Sequence, residues 1–144
     1  MWQKINQGYK TNDCLITIWT GSILDEDGVG LVGNHAYGVL EIIEHMGLRM
    51  LLIKNPWGHF SWKGKYSYGD SIWTPQLKQA LGYDNFKEDK GVFWMDFESV
   101  LNWFEGLAIN WNPDLLVYRK SYFDHWAAAD MFKYNSQVSL KENP

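Results

Sequence analysis

The sequence NHAYGVLEIIEHMGLRMLLIKNPWG occupies residues 34–58 and contains two apolar runs, 36–43 and 49–53. Both runs are short and rich in β-branched and aliphatic residues, and the tetrapeptide EHMG separates them at residues 44–47. Two such runs joined by a short glycine-bearing segment are typical of a β-hairpin. One polar side chain stands at each outer end of this hairpin, His35 in the first strand and Asn55 in the second.

The register of the hairpin decides whether these two side chains meet. We expect a three-residue loop centred on His45, with Gly47 nearby to supply a positive φ, and this makes the numbers of paired residues add up to an even total. His35 then lies opposite Asn55 or diagonal to it, so the two side chains share a face of the sheet. The same register predicts two cross-strand pairs, Glu41 with Arg49 and Tyr37 with Ile53.

A histidine and an asparagine held together at the end of a hairpin suit nucleophilic chemistry. The amide oxygen of Asn55 can accept a proton from one imidazole nitrogen of His35, which fixes the tautomer and the orientation of the ring. The second ring nitrogen then faces a thiol. The residues therefore predict a Cys-His-Asn site.

Three motifs carry a resemblance to a known family. The tripeptide HAY at 35–37, the pentapeptide KNPWG at 54–58 and the stretch GVFWM at 91–95 resemble the histidine motif, the asparagine motif and the GxFWM stretch of calpain-type cysteine proteases. The likeness covers residues 2–112. The hexapeptide WKGKYS at 62–67 and Trp111 are most similar to the atypical, PalB-like calpains.

The resemblance implies the second lobe of a papain-like protease core, with peptide-bond hydrolysis by a thiol mechanism as its activity. In this interpretation His35 is the general base and acid, and Asn55 orients it. Residues 1–112 form the lobe, and residues 113–144 form a C-terminal extension or linker toward a further domain. The first lobe, absent from this chain, supplies the cysteine and the oxyanion donors in cis or in trans, so the chain alone is inert. The substrate is protein.

Trp57 is the third residue that we expect at the site. It follows Asn55 by two positions, so on a continuing strand its ring lies on the same face and can cover the bond between His35 and Asn55. The resemblance implies the same place, beside the dyad, for this tryptophan. An ordinary core tryptophan is the alternative.

Composition and charge narrow the class of protein. The 144 residues are 46% hydrophobic and 17% aromatic, which is ample for one domain with a core. The net charge of −4 and the scattered lysines and arginines disfavour a nucleic-acid partner. No stretch approaches the roughly 20 apolar residues of a membrane span, and no apolar segment marks a signal peptide. We expect a cytoplasmic protein.

Cys14 is the single cysteine and has to be weighed as the nucleophile. It begins the apolar stretch CLITIW, residues 14–19, which predicts a buried strand. Reactive thiolates instead favour helix N-termini or cationic neighbours in partly exposed places. Cys14 is therefore predicted to be structural, and the nucleophile is not in this chain.

No cofactor is expected. The sequence Asp25-Glu26-Asp27-Gly28 is interpreted as a solvated acidic turn, because calcium needs six or more oxygen ligands from a defined loop. By resemblance, the positions that bind calcium in calcium-dependent calpains fall on Ser61, Tyr68, Lys90 and Val92, and lysine and valine cannot bind this ion. Glu88 and Asp89 leave a displaced site open.

The remaining patterns complete the fold. We expect the last turns of a helix at residues 1–8, a helix at 75–81 with Thr74 as N-cap, a strand at 91–95, a helix capped by Asp96, and a strand at 107–111. Residues 61–72 are interpreted as a loop with one irregular strand. The fold class is α+β and β-dominated, an antiparallel and partly barrel-like sheet of about five strands with two or three short helices.

Two other functions stay open. A calpain-like lobe that has lost catalysis can serve as a protein-interaction module through its exposed aromatic residues. The presence of both His35 and Asn55 argues mildly against that. A metal-dependent hydrolase is disfavoured because the four histidines lack a ligand spacing such as HExxH.

Overall fold

A computed structural model describes residues 1–85, 91–118 and 120 of the chain. Its framework is one antiparallel sheet of five strands in the order β4-β3-β2-β1-β5. The strands are β1 Cys14–Trp19, β2 Ala36–His45, β3 Leu48–Lys54, β4 Val92–Asp96 and β5 Gly106–Trp111. The sheet is open, with β4 and β5 at its edges, and its β-dominated α+β architecture confirms the predicted fold class.

Short helices and turns accompany the sheet. The α-helices of the described residues are α1 Trp2–Lys10, α2 Glu26–Val29, α3 Pro75–Ala80 and α4 Phe97–Trp103, and the 3₁₀ turns are Tyr83–Asn85 and Pro113–Leu115. The predicted caps are present: Thr74 accepts from the N–H of Leu77, and Asp96 accepts from the N–H of Ser99. These contacts satisfy donors that the first turn of a helix leaves unpaired.

Each face of the sheet has its own core. On the helix face, α1 and α4 pack over the side chains of β2, β3 and β4 that point toward them, among them Tyr37, Ile53 and Phe93. On the loop face, residues 66–83 cover only the β3 and β4 half, where Met50, Leu52 and Trp94 lie beneath Tyr66, Trp73, Leu81 and Tyr83. Burial on both faces explains why β3 is a continuous apolar run.

The hairpin of β2 and β3 is confirmed, but the predicted loop and its pairs are wrong. The loop has two residues, Met46 and Gly47, with φ of 50° and 82°. Positive φ at both positions defines a type I′ turn, whose twist matches that of the strands. Arg49 therefore pairs with Glu44 rather than with Glu41.

A β-bulge at Leu40 shifts the register of β2 and β3 by one residue on the side away from the turn. Next to the turn the numbers of paired residues add up to an odd total, as in the pair of Glu41 with Leu52; beyond Leu40 the total is even, as in the pair of Val39 with Ile53. The predicted pairing of Tyr37 with Ile53 is thus wrong. An extra residue in one strand moves every later side chain to the other face.

Three further predictions concern the segments 25–28, 61–72 and 113–144. The acidic turn at 25–28 is in fact α2, capped by Asp25, which accepts from the N–H of Gly28 at 2.8 Å. No strand forms at 61–72. The extension at 113–144 begins with the exposed 3₁₀ turn Pro113–Leu115, and most of its residues lie outside the described ones, so the domain boundary at 112 stays a prediction.

Candidate active site

The candidate site is a hydrogen bond between His35 and Asn55. His35 immediately precedes β2 and Asn55 immediately follows β3, and their Nε2 and Oδ1 atoms are 3.0 Å apart. The even register beyond Leu40 places Asn55 across from Tyr37, two residues after His35, so the contact is diagonal within one face. Asn55 is completely buried and His35 is half-buried.

A second contact orients the amide of Asn55. The backbone N–H of Trp57 donates to Oδ1 of Asn55 at 3.0 Å, which requires the oxygen at this position. Nε2 of His35 must then carry the proton that it shares with the same oxygen. Nδ1 has no hydrogen-bond partner among the described residues, so in the neutral ring it is an available acceptor.

Two aromatic rings enclose the imidazole. The ring of Trp57 lies 4.2 Å from that of His35, centroid to centroid, and Tyr37 contacts it edge-on at 5.0 Å. Trp57 is 57% exposed, so its ring contacts His35 while more than half of the side chain stays open to solvent. The predicted position of Trp57 beside the dyad is thus observed, in a half-exposed setting rather than in the core.

The backbone before β2 is held by a set of contacts that we call the cradle, residues 32–35. Each of the four N–H groups donates to an acceptor elsewhere in the fold. The acceptors are, in order, Tyr37 Oη at 2.7 Å, Glu26 Oε1 at 2.6 Å, Gly21 O at 2.8 Å and Thr20 Oγ1 at 3.2 Å. The backbone of His35 is therefore fixed independently of its ring.

Most of the cradle was not predicted from sequence. The acidic stretch containing Glu26 was interpreted as solvated, and Thr20 follows β1 without any motif around it. Burial raises the pKa of Tyr37, so its hydroxyl stays protonated and can donate to the carbonyl oxygen of Val32, 3.4 Å away. Only the polar type of these side chains was visible in the sequence as a sign that they bind the cradle. Their partners could not be predicted, because the contacts join residues from three separate segments.

Cys14 lies far from the dyad. Trp19, at one end of β1, pairs with Ala36 beside His35, whereas Cys14 is at the other end, five residues or about 17 Å along the strand. Burial raises the pKa of its thiol, and Asp13 raises it further. Both effects disfavour the thiolate, which fits the structural role predicted for Cys14.

The described residues show no cluster of three or more His, Cys, Asp or Glu side chains that could hold a metal ion. Among the positions compared with calcium ligands, Ser61 accepts from the N–H of Gly91 through Oγ, and Val92 is buried in β4. Lys90, Glu88, Asp89 and His125 lie outside the described residues. The expectation that calcium is absent stays a prediction.

The other described histidines lie outside the dyad. His45 ends β2 next to the turn, at the opposite end of the hairpin from His35. His59 is exposed, its ring stacks 6.0 Å from that of Trp57, and its Nδ1 is 2.9 Å from the carbonyl oxygen of Trp57. Neither is bonded to Asn55.

Comparison with known proteins agrees with this architecture. The family model described as "Calpain family cysteine protease" matches residues 1–110. Calpain-7 of Sus scrofa is 38% identical over 96% of this chain and 18% of its own length, and calpain-7 of Homo sapiens is 37% identical over the same shares. The calpain-like protease palB/RIM13 of Aspergillus oryzae is 34% identical over 88% of this chain and 14% of its own.

The chain belongs to the calpain family of cysteine proteases. Within that family it is similar to calpain-7 and to the PalB-like proteases, which confirms the resemblance drawn from the motifs. It spans less than a fifth of the length of these curated relatives. Within residues 1–85, 91–118 and 120, no helix is long and apolar enough to cross a membrane.

Proposed function

We propose that this chain is the half of a calpain-like cysteine endopeptidase that carries the histidine and the asparagine. The observation that supports it is the bond from Nε2 of His35 to the buried Oδ1 of Asn55, with Nδ1 left available. A ring held in this way presents a base at a fixed position. The nucleophilic cysteine comes from a first lobe, in cis or in trans.

Each residue has a distinct role in the proposed hydrolysis of a peptide bond. Nδ1 of His35 takes the proton of the thiol, the thiolate adds to the carbonyl carbon, and the leaving amine receives that proton as the C–N bond breaks and a thioester forms. Nδ1 then takes a proton from the water that attacks the thioester and returns it to the departing thiolate, which releases the acid. Asn55 holds the ring and stabilises the imidazolium through its carbonyl dipole. Trp57 packs against the imidazole and limits the access of water to its bond with Asn55.

The partners and setting follow from the same proposal. The substrate is a protein, and the chain alone is inert because Cys14 is distant from His35 and its thiol is disfavoured as a thiolate. The cytoplasmic location predicted from sequence belongs to this proposal as well. No metal ion takes part.

The test combines this chain with the first lobe of a related calpain and measures labelling by a thiol-directed peptide probe. We expect labelling of the first-lobe cysteine to fall by about 10²- to 10⁴-fold in His35→Ala. His45→Ala is the matched control, since His45 lies at the far end of the same hairpin, and Cys14→Ser should leave labelling unchanged. Labelling that is insensitive to His35→Ala would overturn the proposal.

A catalytically inactive interaction module is the second candidate. It is favoured by the uncovered half of the loop face, where Leu15 is 76%, Leu40 46% and Trp19 39% exposed. Apolar area of this kind commonly marks a contact surface. The same labelling experiment separates the two functions, since a module of this kind gives no His35-dependent labelling with any first lobe.

A further inference from the structure

We propose that Thr20 is a positioning residue for His35 and acts through its side-chain hydroxyl. The inference rests on the proposed function, because it concerns how the base of that site is held. Among the described residues, Thr20 makes its hydrogen bonds to the backbone of the cradle, residues 32–35, and none to the imidazole or to Asn55.

The hydroxyl of Thr20 joins the two ends of the cradle. Oγ1 donates to the carbonyl oxygen of Val32 at 2.6 Å and accepts from the N–H of His35 at 3.2 Å. The backbone N–H of Thr20 donates to the carbonyl oxygen of His35 at 3.0 Å. Thr20 is 2% exposed; its bond to Val32 is buried and its bond from the N–H of His35 is part-buried, so water has little access to them.

The side chain of Tyr37 also binds the backbone of Val32. Oη of Tyr37 accepts from the N–H of Val32 at 2.7 Å, and the ring of Tyr37 lies edge-on against the imidazole of His35. Thr20 thus links Val32 to the backbone of His35, and Tyr37 links Val32 to the ring of His35. Misplacement of a catalytic group by about 1 Å can cost about 10²-fold in rate.

The hydroxyl, rather than the bulk of the side chain, is the important feature. Thr20→Val has nearly the same shape but leaves the part-buried N–H of His35 without its acceptor, and it leaves the carbonyl oxygen of Val32 with only the longer contact of 3.4 Å from Tyr37 Oη. Thr20→Ser retains both contacts. If Thr20 positions His35, the serine variant should behave like the unmodified chain and the valine variant should not.

The experiment observes the Nε2 proton of His35 directly by NMR in the 144-residue chain, at a pH where the ring is neutral. We expect a slowly exchanging signal, assigned by its loss in His35→Ala, because this proton is shared with the buried Oδ1 of Asn55. Its exchange with solvent should be at least about tenfold faster in Thr20→Val and unchanged in Thr20→Ser. Ser99→Ala is the matched control, because it removes the 2.6 Å bond from Ser99 Oγ to Asp96 Oδ1 in α4.

Each outcome decides one of the proposals. Unchanged exchange in Thr20→Val, or equal acceleration in Ser99→Ala, overturns the role of Thr20 and leaves the proposed function standing. Absence of the signal from the unmodified chain overturns both. If Thr20→Val does not fold, hydrogen exchange at the backbone N–H of His35 in the unmodified chain decides: protection supports the role of Thr20, and exchange at the rate of an unbonded amide refutes it.

With the first lobe present, the same variants separate positioning from general stability. Thr20→Val should lower kcat by about 10- to 100-fold with KM little changed, since substrate binding does not use Thr20. Thr20→Ser should restore kcat. An equal loss in both variants would contradict the role of the hydroxyl.

Discussion

Asn55 shows a conflict between stability and chemistry at the scale of one residue. Its Oδ1 accepts from both His35 and Trp57, but its buried Nδ2 has no hydrogen-bond partner among the described residues. An unsatisfied buried donor costs about 1–3 kcal/mol. A side chain kept at such a cost is expected where its remaining contacts serve function.

Trp57 should matter more for the dyad than for folding. We expect Trp57→Ala to lower the free energy of unfolding by about 1 kcal/mol or less, because the ring is mostly exposed and one aromatic contact contributes about 0.5–1.5 kcal/mol. The Nε2 proton of His35 should exchange faster in this variant, and Trp57→Phe should largely preserve the slow exchange. Denaturant unfolding and NMR measure the two effects.

The backbone N–H of Trp57 makes the two variants comparable. The N–H of Trp57 holds Oδ1 of Asn55 whatever the side chain is, so both variants keep the orientation of the amide. A loss of stability above about 3 kcal/mol in Trp57→Ala would instead identify a core residue.

Glu41 gives the chain a pH-dependent stability. Burial raises the pKa of Glu41, so between its ordinary and raised values the folded chain binds more protons than the unfolded chain. Stability then falls as pH rises through this window. Glu41→Gln cannot ionise, so its stability relative to the unmodified chain should increase as the pH rises from the ordinary pKa of glutamate, about 4, through the raised pKa of Glu41. Unfolding at several pH values measures this, and a constant difference would contradict it.

At the scale of elements, the bulge at Leu40 joins the odd register of the turn to the even register of the site. Deleting Leu40 should remove the extra residue while Glu41 still pairs with Leu52 and Val39 with Ile53, so His35 and Tyr37 keep their face. We expect the slow Nε2 proton of His35 to persist without a marked loss of stability, because Tyr37, which is 1% exposed, stays in its buried position. NMR and denaturant unfolding measure the two.

Leu40→Ala is the matched control for the deletion. It keeps the extra residue, and Leu40 is largely exposed, so both signals should stay close to those of the unmodified chain. A deletion variant that lost the slow proton, while Leu40→Ala kept it, would show that the site needs the bulge itself and not only the register beyond it.

Sequence predicted the elements better than their connections. Local patterns suffice for β1 and for the caps Thr74 and Asp96, because a strand period or a helix start involves neighbouring residues. The turn was missed because Met46, a non-glycine residue, takes a positive φ. The shared face of His35 and Asn55 was predicted correctly, but the parity comes from the bulge rather than from the loop.

At the scale of the whole molecule, the sequence did not predict the contacts that hold the dyad in place. Thr20 reaches the cradle from the segment after β1, Glu26 from α2 and Tyr37 from β2, and no spacing rule connects side chains from separate segments. The motifs located the two residues of the dyad, because both lie next to strand ends. The contacts that hold them appear only when the sheet is assembled.

The cradle has a consequence for how the two lobes of the proposed enzyme meet. All four of its amides are bonded within this chain, so the conformational entropy of the histidine segment is lost during folding and not during docking. A thiol-bearing lobe that arrives later meets a rigid surface. Its association is then limited by orientation and collision, with little ordering of residues 32–35 left to occur.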